Sequence, residues 1–86
     1  MSPSRVMLAL AIDACNLSNA SDFDQAVAEG IQSAFRQYFQ GNIDAVTAWD
    51  ELQKELVTKT SIAADNITLD GTISGNTITP ATTTAA

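Results

Sequence analysis

Residues 23–56, FDQAVAEGIQSAFRQYFQGNIDAVTAWDELQKEL, decide the fold because they hold two helical patterns separated by a glycine. In the first pattern, bulky apolar residues recur at the spacing of one helical face. They are Phe23, Val27, Ile31, Phe35 and Tyr38. Gly41 is suited to a left-handed C-terminal cap, and a second helical pattern follows it. The stretch therefore predicts an antiparallel pair of helices joined by a short loop.

The ends of both helices carry capping signals. SDFD at 21–24 reads as a capping box, in which the Ser21 hydroxyl and the Asp24 carboxylate each reach the other residue's backbone N–H. This predicts a helix over about 22–40. Asp44 is the expected N-cap of the next helix, over about 45–57. Trp49 lies on the apolar face of that helix, where it serves either the core or an interface.

Small residues form a second strip on the first of these helices, with Ala26, Gly30 and Ala34 four residues apart. Glycine inside a helix costs ~1 kcal/mol relative to alanine, so a compensating role is expected at Gly30. We expect another backbone to approach closely there, either an N-terminal helix or a symmetry-related copy.

The N-terminal segment predicts a further helix over about 3–15, with Ser2 as N-cap and Pro3 in the first turn. Its residues are apolar nearly all round, which is typical of a helix buried on several sides. Two further helices in a chain of 86 residues can hardly cover it. The missing cover is either the C-terminal tail or another subunit, which makes Leu8 and Ile12 candidate interface residues.

The same segment, MSPSRVMLALAIDAC, also has the outline of a lipoprotein export signal. Asp13 argues against that interpretation, since it stands two residues before Cys15, where a small uncharged residue is expected. The apolar run over 6–12 is too short to span a membrane. A virion or cytoplasmic assembly is therefore the favoured location, and an exported lipoprotein is the alternative.

Composition changes sharply near residue 57. Nine threonines follow that point, whereas all five aromatic residues precede it. We therefore predict a mainly α protein, with a small three-helix body over 1–57, a linker over 58–65 and an extended or β-hairpin arm over 66–86.

Side-chain parity locates the turn within the arm. A turn at Asp70–Gly71 would put the apolar residues on opposite faces, whereas a turn at Gly75–Asn76 puts them on one face. The residues of that face are Ile67, Leu69, Ile73 and Ile78. The expected strands run over 66–74, with Gly71 as a flexible or bulged point, and from 77 to about 80. A two-stranded hairpin is marginal alone, so these four residues are expected to dock on another sheet by β-augmentation.

Charge and residue types argue against several chemistries. Ten acidic against four basic residues give a net charge of -6, which disfavours nucleic acid as a partner. Cys15 is the only cysteine and there is no histidine, so a buried structural thiol is expected rather than a nucleophile. Asp65, Asn66 and Asp70 lack the alternating ligands of a calcium loop. No enzyme activity, metal or cofactor is predicted.

Residues 23–56 also resemble the C-terminal helical hairpin of extracellular solute-binding proteins of ABC transporters, where a helix ends in glycine before an amphipathic helix. The resemblance implies a fragment or relative of such a protein, without the two α/β lobes that enclose a solute. The leading expectation is different. It is a structural protein of a multi-subunit particle, such as a virion capsid, neck or tail, or a filament, with copies of itself or neighbouring subunits as partners.

Overall fold

A computed structural model describes residues 2–61 and 71–80 of the chain. Within these residues it has the predicted mainly α architecture, with three helices followed by a β-hairpin. The helices are α1 (Pro3–Ala14), α2 (Gln25–Phe39) and α3 (Ala45–Lys59), with a 3₁₀ turn at Leu17–Asn19, and the strands are β1 (Gly71–Ser74) and β2 (Thr77–Pro80).

The start of α2 differs from the predicted capping box. Asp24 is the N-cap and its carboxylate accepts a hydrogen bond of 3.0 Å from the backbone N–H of Val27. Ser21 lies in the preceding turn. An aspartate side chain is short, and Asp24 reaches the helix from an extended backbone conformation as the cap itself. The prediction of Ser21 as the cap was therefore wrong, by one turn of chain.

The connection between α2 and α3 is the predicted one. Gly41 has φ +78°, and the N–H groups of Gly41 and Asn42 bond to the carbonyls of Tyr38 and Gln37 in the Schellman pattern. Asp44 then caps α3 by accepting a bond of 2.8 Å from the N–H of Thr47. These local signals are why α2 and α3 form an antiparallel hairpin.

Helix α3 is longer than predicted and ends at Lys59. The Thr58 hydroxyl donates to the carbonyl of Lys54, and the Thr60 hydroxyl donates to that of Leu56, both at 2.6 Å. The first two residues of the predicted linker, 58 and 59, therefore belong to the helix. Residues 62–65 lie outside the described part of the chain.

One core joins the helices and the hairpin. Helix α1 packs against α2, α2 packs against α3, β1 contacts α3 and β2 contacts α1. The buried apolar residues are Met7, Ala11, Cys15, Leu17, Val27, Ile31, Phe35, Ala48, Trp49, Leu52, Leu56 and Ile73. Since Ile73 is among them, the hairpin completes the core of its own chain.

The hairpin has the predicted turn and register. Ser74 pairs with Thr77 and Ile73 with Ile78, so Gly75 and Asn76 form a two-residue turn. Gly75 has φ +57°, which suits the first turn position of a type II′ hairpin. The predicted bulge at Gly71 was wrong, because Gly71 pairs regularly with Pro80. The earlier part of the predicted strand, 66–70, lies outside the described residues.

Candidate interaction surfaces

Trp49 attaches the hairpin to the helical body. A Cβ atom placed on Gly71 would lie 2.7 Å from the Trp49 ring and 2.9 Å from the carbonyl oxygen of Thr79. Glycine at position 71 therefore lets β1 lie directly on the indole. At the other end of the strand, the Tyr38 hydroxyl donates a hydrogen bond of 2.9 Å to the carbonyl of Gly75. The start of β1 and the turn that follows the strand each contact a helix of the same chain.

An open groove of about 290 Å³ runs between α3 and β1. We call it the α3–β1 groove, and its lining consists of Ala45, Val46, Trp49, Asp50, Gln53, Gly71, Thr72 and Ile73. Val46 is 71% exposed, although its side chain is wholly apolar. Asp50 is the charged residue of the lining. The groove combines one edge of β1, an apolar wall and one carboxylate.

A second groove, of about 350 Å³, lies between α1 and α2. This α1–α2 groove is lined by Arg5, Leu8, Ile12, Phe23, Asp24, Gln25, Ala28, Glu29 and Gln32. Leu8 and Ile12 are half-buried and form part of its apolar floor. Next to them, the outward side of α1 exposes Val6 at 40% and Leu10 at 42%. Helix α1 is therefore covered on one side and open on the other.

The predicted interface residues have different surroundings. Trp49 and Ile73 lie in the core, and Ile78 packs against that core while half-buried. Leu8 and Ile12 line the α1–α2 groove. Ile67 and Leu69 lie outside the described residues. Two covers were predicted for the first helix, the C-terminal tail and another subunit. The described part of the tail supplies one of them, since β2 contacts α1.

Gly30 is crowded by a side chain rather than by a backbone. A Cβ atom at this position would collide with the Glu55 carboxylate of α3. Glu55 also forms an ion pair of 2.8 Å with Lys59. We predicted that the backbone of the N-terminal helix or of a symmetry-related copy would approach Gly30. That prediction was wrong, since the neighbour is the side chain of Glu55 on α3.

Two titratable side chains have shifted pKa values. Burial raises the pKa of the Cys15 thiol, which keeps it in the neutral, unreactive form. At the start of α3, the backbone N–H of Thr47 bonds to the Asp44 carboxylate and lowers the pKa of that group. Both shifts follow from structural roles, a core residue and a helix cap.

The described part of the chain has neither a cluster of metal ligands nor a membrane-spanning helix. No group of three His, Cys, Asp or Glu residues within 2–61 and 71–80 is arranged to hold a metal ion. Among the helices of those same residues, none has both the length and the apolarity needed to cross a bilayer. Asp65, Asn66 and Asp70, the residues of the weak calcium pattern, lie outside this part of the chain.

Two structural contacts were not predicted. Asn16 adopts a left-handed conformation after α1, and the turn that follows buries Leu17 completely. Asparagine is one of the few residues that adopt this conformation readily, so the Asn16–Leu17 pair was the available signal. The bond from Tyr38 to Gly75 had no sequence signal, because it joins residues 37 positions apart.

Comparisons of this chain with protein families, with curated proteins and with solved structures found no match. The resemblance of residues 23–56 to solute-binding proteins therefore stays a prediction.

Proposed function

We propose that this chain is a non-enzymatic assembly protein, a small component of a multi-subunit particle such as a virion or filament, which binds a neighbouring subunit along its C-terminal arm. The observation that carries the proposal is the α3–β1 groove, because it places an edge of β1, without a strand partner among residues 2–61 and 71–80, beside an apolar wall. The arm acts in this proposal as a docking edge held on the body, not as a free extension.

The edge of β1 supports β-augmentation. The sheet has only β1 and β2 within the described residues, so each strand has one side without a strand partner there. Pro80 has no N–H, so the Gly71–Pro80 pair does not exchange both hydrogen bonds. By the alternation of antiparallel ladders, Ile73 and Ile78 form the same kind of pair. The N–H and C=O groups of Gly71 and Ile73 then point away from β2, toward an added strand.

The chemistry of the groove describes the partner segment. An extended segment pairing with β1 would place every second side chain against Val46 and the edge of the Trp49 ring, which favours small apolar residues. Asp50 favours a lysine or arginine at the rim. With a net charge of -6 on this chain, a basic neighbouring subunit fits better than a second copy here.

A test of the proposal must spare the hairpin itself. Since Ile73 belongs to the core, deletion of the arm would remove folding contacts together with any docking edge. Val46→Lys is the sharper change, because Val46 is largely exposed and lysine is a better helix former. Val57→Lys is the matched control, with the same residue on the same helix, 54% exposed and outside the groove lining.

The experiment follows each variant in extracts of the cells that produce the protein. The unchanged chain and Val57→Lys are expected to sediment with a large particle, and Val46→Lys is expected in the slow fraction, about tenfold depleted from the particle. A chain that sediments alone in every case would contradict the assembly function. Equal incorporation of the two lysine variants would contradict the use of the α3–β1 groove.

A further inference from the structure

The outward side of α1 reads nearly the same in both directions from Ala9. Leucines stand one residue before and after it, Val6 and Ile12 stand three residues away, and Arg5 and Asp13 stand four residues away. The apolar positions are thus symmetric, whereas the charges at the two ends are opposite. This is the pattern of a helix that is complementary to an antiparallel copy of itself.

The helical structure brings these residues onto an accessible surface. Residues four apart lie above one another on a helix, so Arg5, Ala9 and Asp13 form one line along α1. All three are exposed. Two apolar ridges flank the line, one formed by Val6 and Leu10 and the other by Leu8 and Ile12. The second ridge borders the α1–α2 groove.

The two charges stand at the ends of α1 where they destabilise the isolated helix. Arg5 lies in the first turn, where the helix dipole favours an acidic residue, and Asp13 lies in the last turn, where it favours a basic one. Neither residue has an ion-pair partner among residues 2–61 and 71–80. The ion pairs among these described residues therefore do not explain why the two charges stand where they do.

We propose that two copies of this chain associate through α1, with the helices antiparallel across a two-fold axis at Ala9. Arg5 of each copy then meets Asp13 of the other, giving two ion pairs. The small Ala9 side chain permits close approach of the axes. On one side of this line the two Val6–Leu10 ridges face each other, and on the other side the two Leu8–Ile12 ridges meet, each beside its own α1–α2 groove.

The antiparallel arrangement also accounts for the unusual charge placement. The N-terminus of each helix lies beside the C-terminus of the other, so each Arg5 approaches the negative end of the second helix and each Asp13 its positive end. The chain as a whole carries a net charge of -6, which opposes contact between copies. The α1 line, with one positive and one negative residue, carries no net charge.

The proposed contact is small. Two helices of 12 residues with the rim of α2 form a contact near the small end of stable interfaces, which bury about 1,200–2,000 Å². We expect a dissociation constant on the order of micromolar. This contact uses a different surface from the α3–β1 groove and does not rest on the assembly function proposed above.

Sedimentation equilibrium of the purified full chain tests the inference through charge reversal. The unchanged chain is expected to dimerise, whereas Arg5→Glu and Asp13→Lys each place like charges together and weaken the dimer about tenfold. In an equimolar mixture of the two variants, both ion pairs re-form between unlike chains. The mixture and the double variant Arg5→Glu/Asp13→Lys are therefore expected to dimerise again.

Loss of folding does not explain the expected result, because both substitutions match the helix dipole better than the native residues do. Circular dichroism of each variant checks this. A chain that stays monomeric up to about 0.5 mM would overturn the inference, since even a weak specific contact is populated there. It would also be overturned if the single variants dimerised as well as the unchanged chain, or if the mixture stayed monomeric.

Discussion

Helices α3 and α1 both contact the hairpin, yet they differ in their capping and in the placement of their charges. Helix α3 has its cap at Asp44, its apolar face in the core and an ion pair between Glu55 and Lys59. Helix α1 has no side-chain cap bond, exposes Val6 and Leu10, and carries its charges at the unfavourable ends. The fold of the chain explains the caps and charges of α3, whereas the charges of α1 are explained by the second copy that we propose.

Removal of the Trp49 ring is expected to cause the largest loss of stability, because α3 contacts the hairpin through that ring. Trp49→Ala should destabilise the protein by about 3–5 kcal/mol, a large part of the 5–15 kcal/mol typical of a domain. Urea unfolding followed by circular dichroism measures the loss. Val46→Ala, on the same helix and largely exposed, should change stability by less than about 0.5 kcal/mol.

A substitution on the strand side of the contact between Trp49 and Gly71 should cost less stability. Gly71→Ala puts a methyl group within 2.7 Å of the Trp49 ring and should cost about 1–3 kcal/mol. Trp49→Phe removes the atoms that the methyl group meets. In a double-mutant cycle, the cost of Gly71→Ala should therefore shrink when position 49 is phenylalanine. Additive costs would show that the ring and the strand do not touch.

Reversal of the α1 charges should have the smallest effect on stability, and it should stabilise the monomer rather than destabilise it. At protein concentrations below those of self-association, Arg5→Glu and Asp13→Lys should each stabilise the monomer by about 0.3–1 kcal/mol, because each improves the match to the helix dipole. Thermal unfolding of dilute samples measures this gain. A loss of stability in both variants would mean that contacts within the monomer already use these charges.

Local signals were sufficient to predict most of the body. The glycine at position 41, the cap at Asp44 and the spacing of the apolar residues each act within a few residues, which is why the α2–α3 hairpin is readable from the sequence. The turn at Gly75 was readable for a similar reason, since side-chain parity along a strand allows one register.

The remaining features depend on residues distant in the sequence. The nearest neighbour of Gly30 is Glu55, and the nearest neighbour of Gly71 is Trp49, and in each case only the packed fold brings the pair together. The sequence indicated that each glycine had a close neighbour or a special role, but periodicity cannot identify a partner more than 20 residues away. For the same reason, the sequence did not show that Ile73 packs on the helices of its own chain.

Disulfide formation at Ala9 tests the central claim, the antiparallel pairing of α1 across this residue. Helix axes 8–10 Å apart place facing Cα atoms about 3.4–5.4 Å from each other, which overlaps the range a disulfide needs. The variant is Ala9→Cys in a Cys15→Ala background. Its control is Ala26→Cys in the same background, an exposed alanine on α2 that does not line the α1–α2 groove.

Under mild oxidation, the Ala9→Cys variant is expected to become a covalent dimer far faster than the Ala26→Cys control, and at a rate that high salt lowers. Equal rates of dimer formation in the two variants would contradict the pairing of α1 with a second copy of itself.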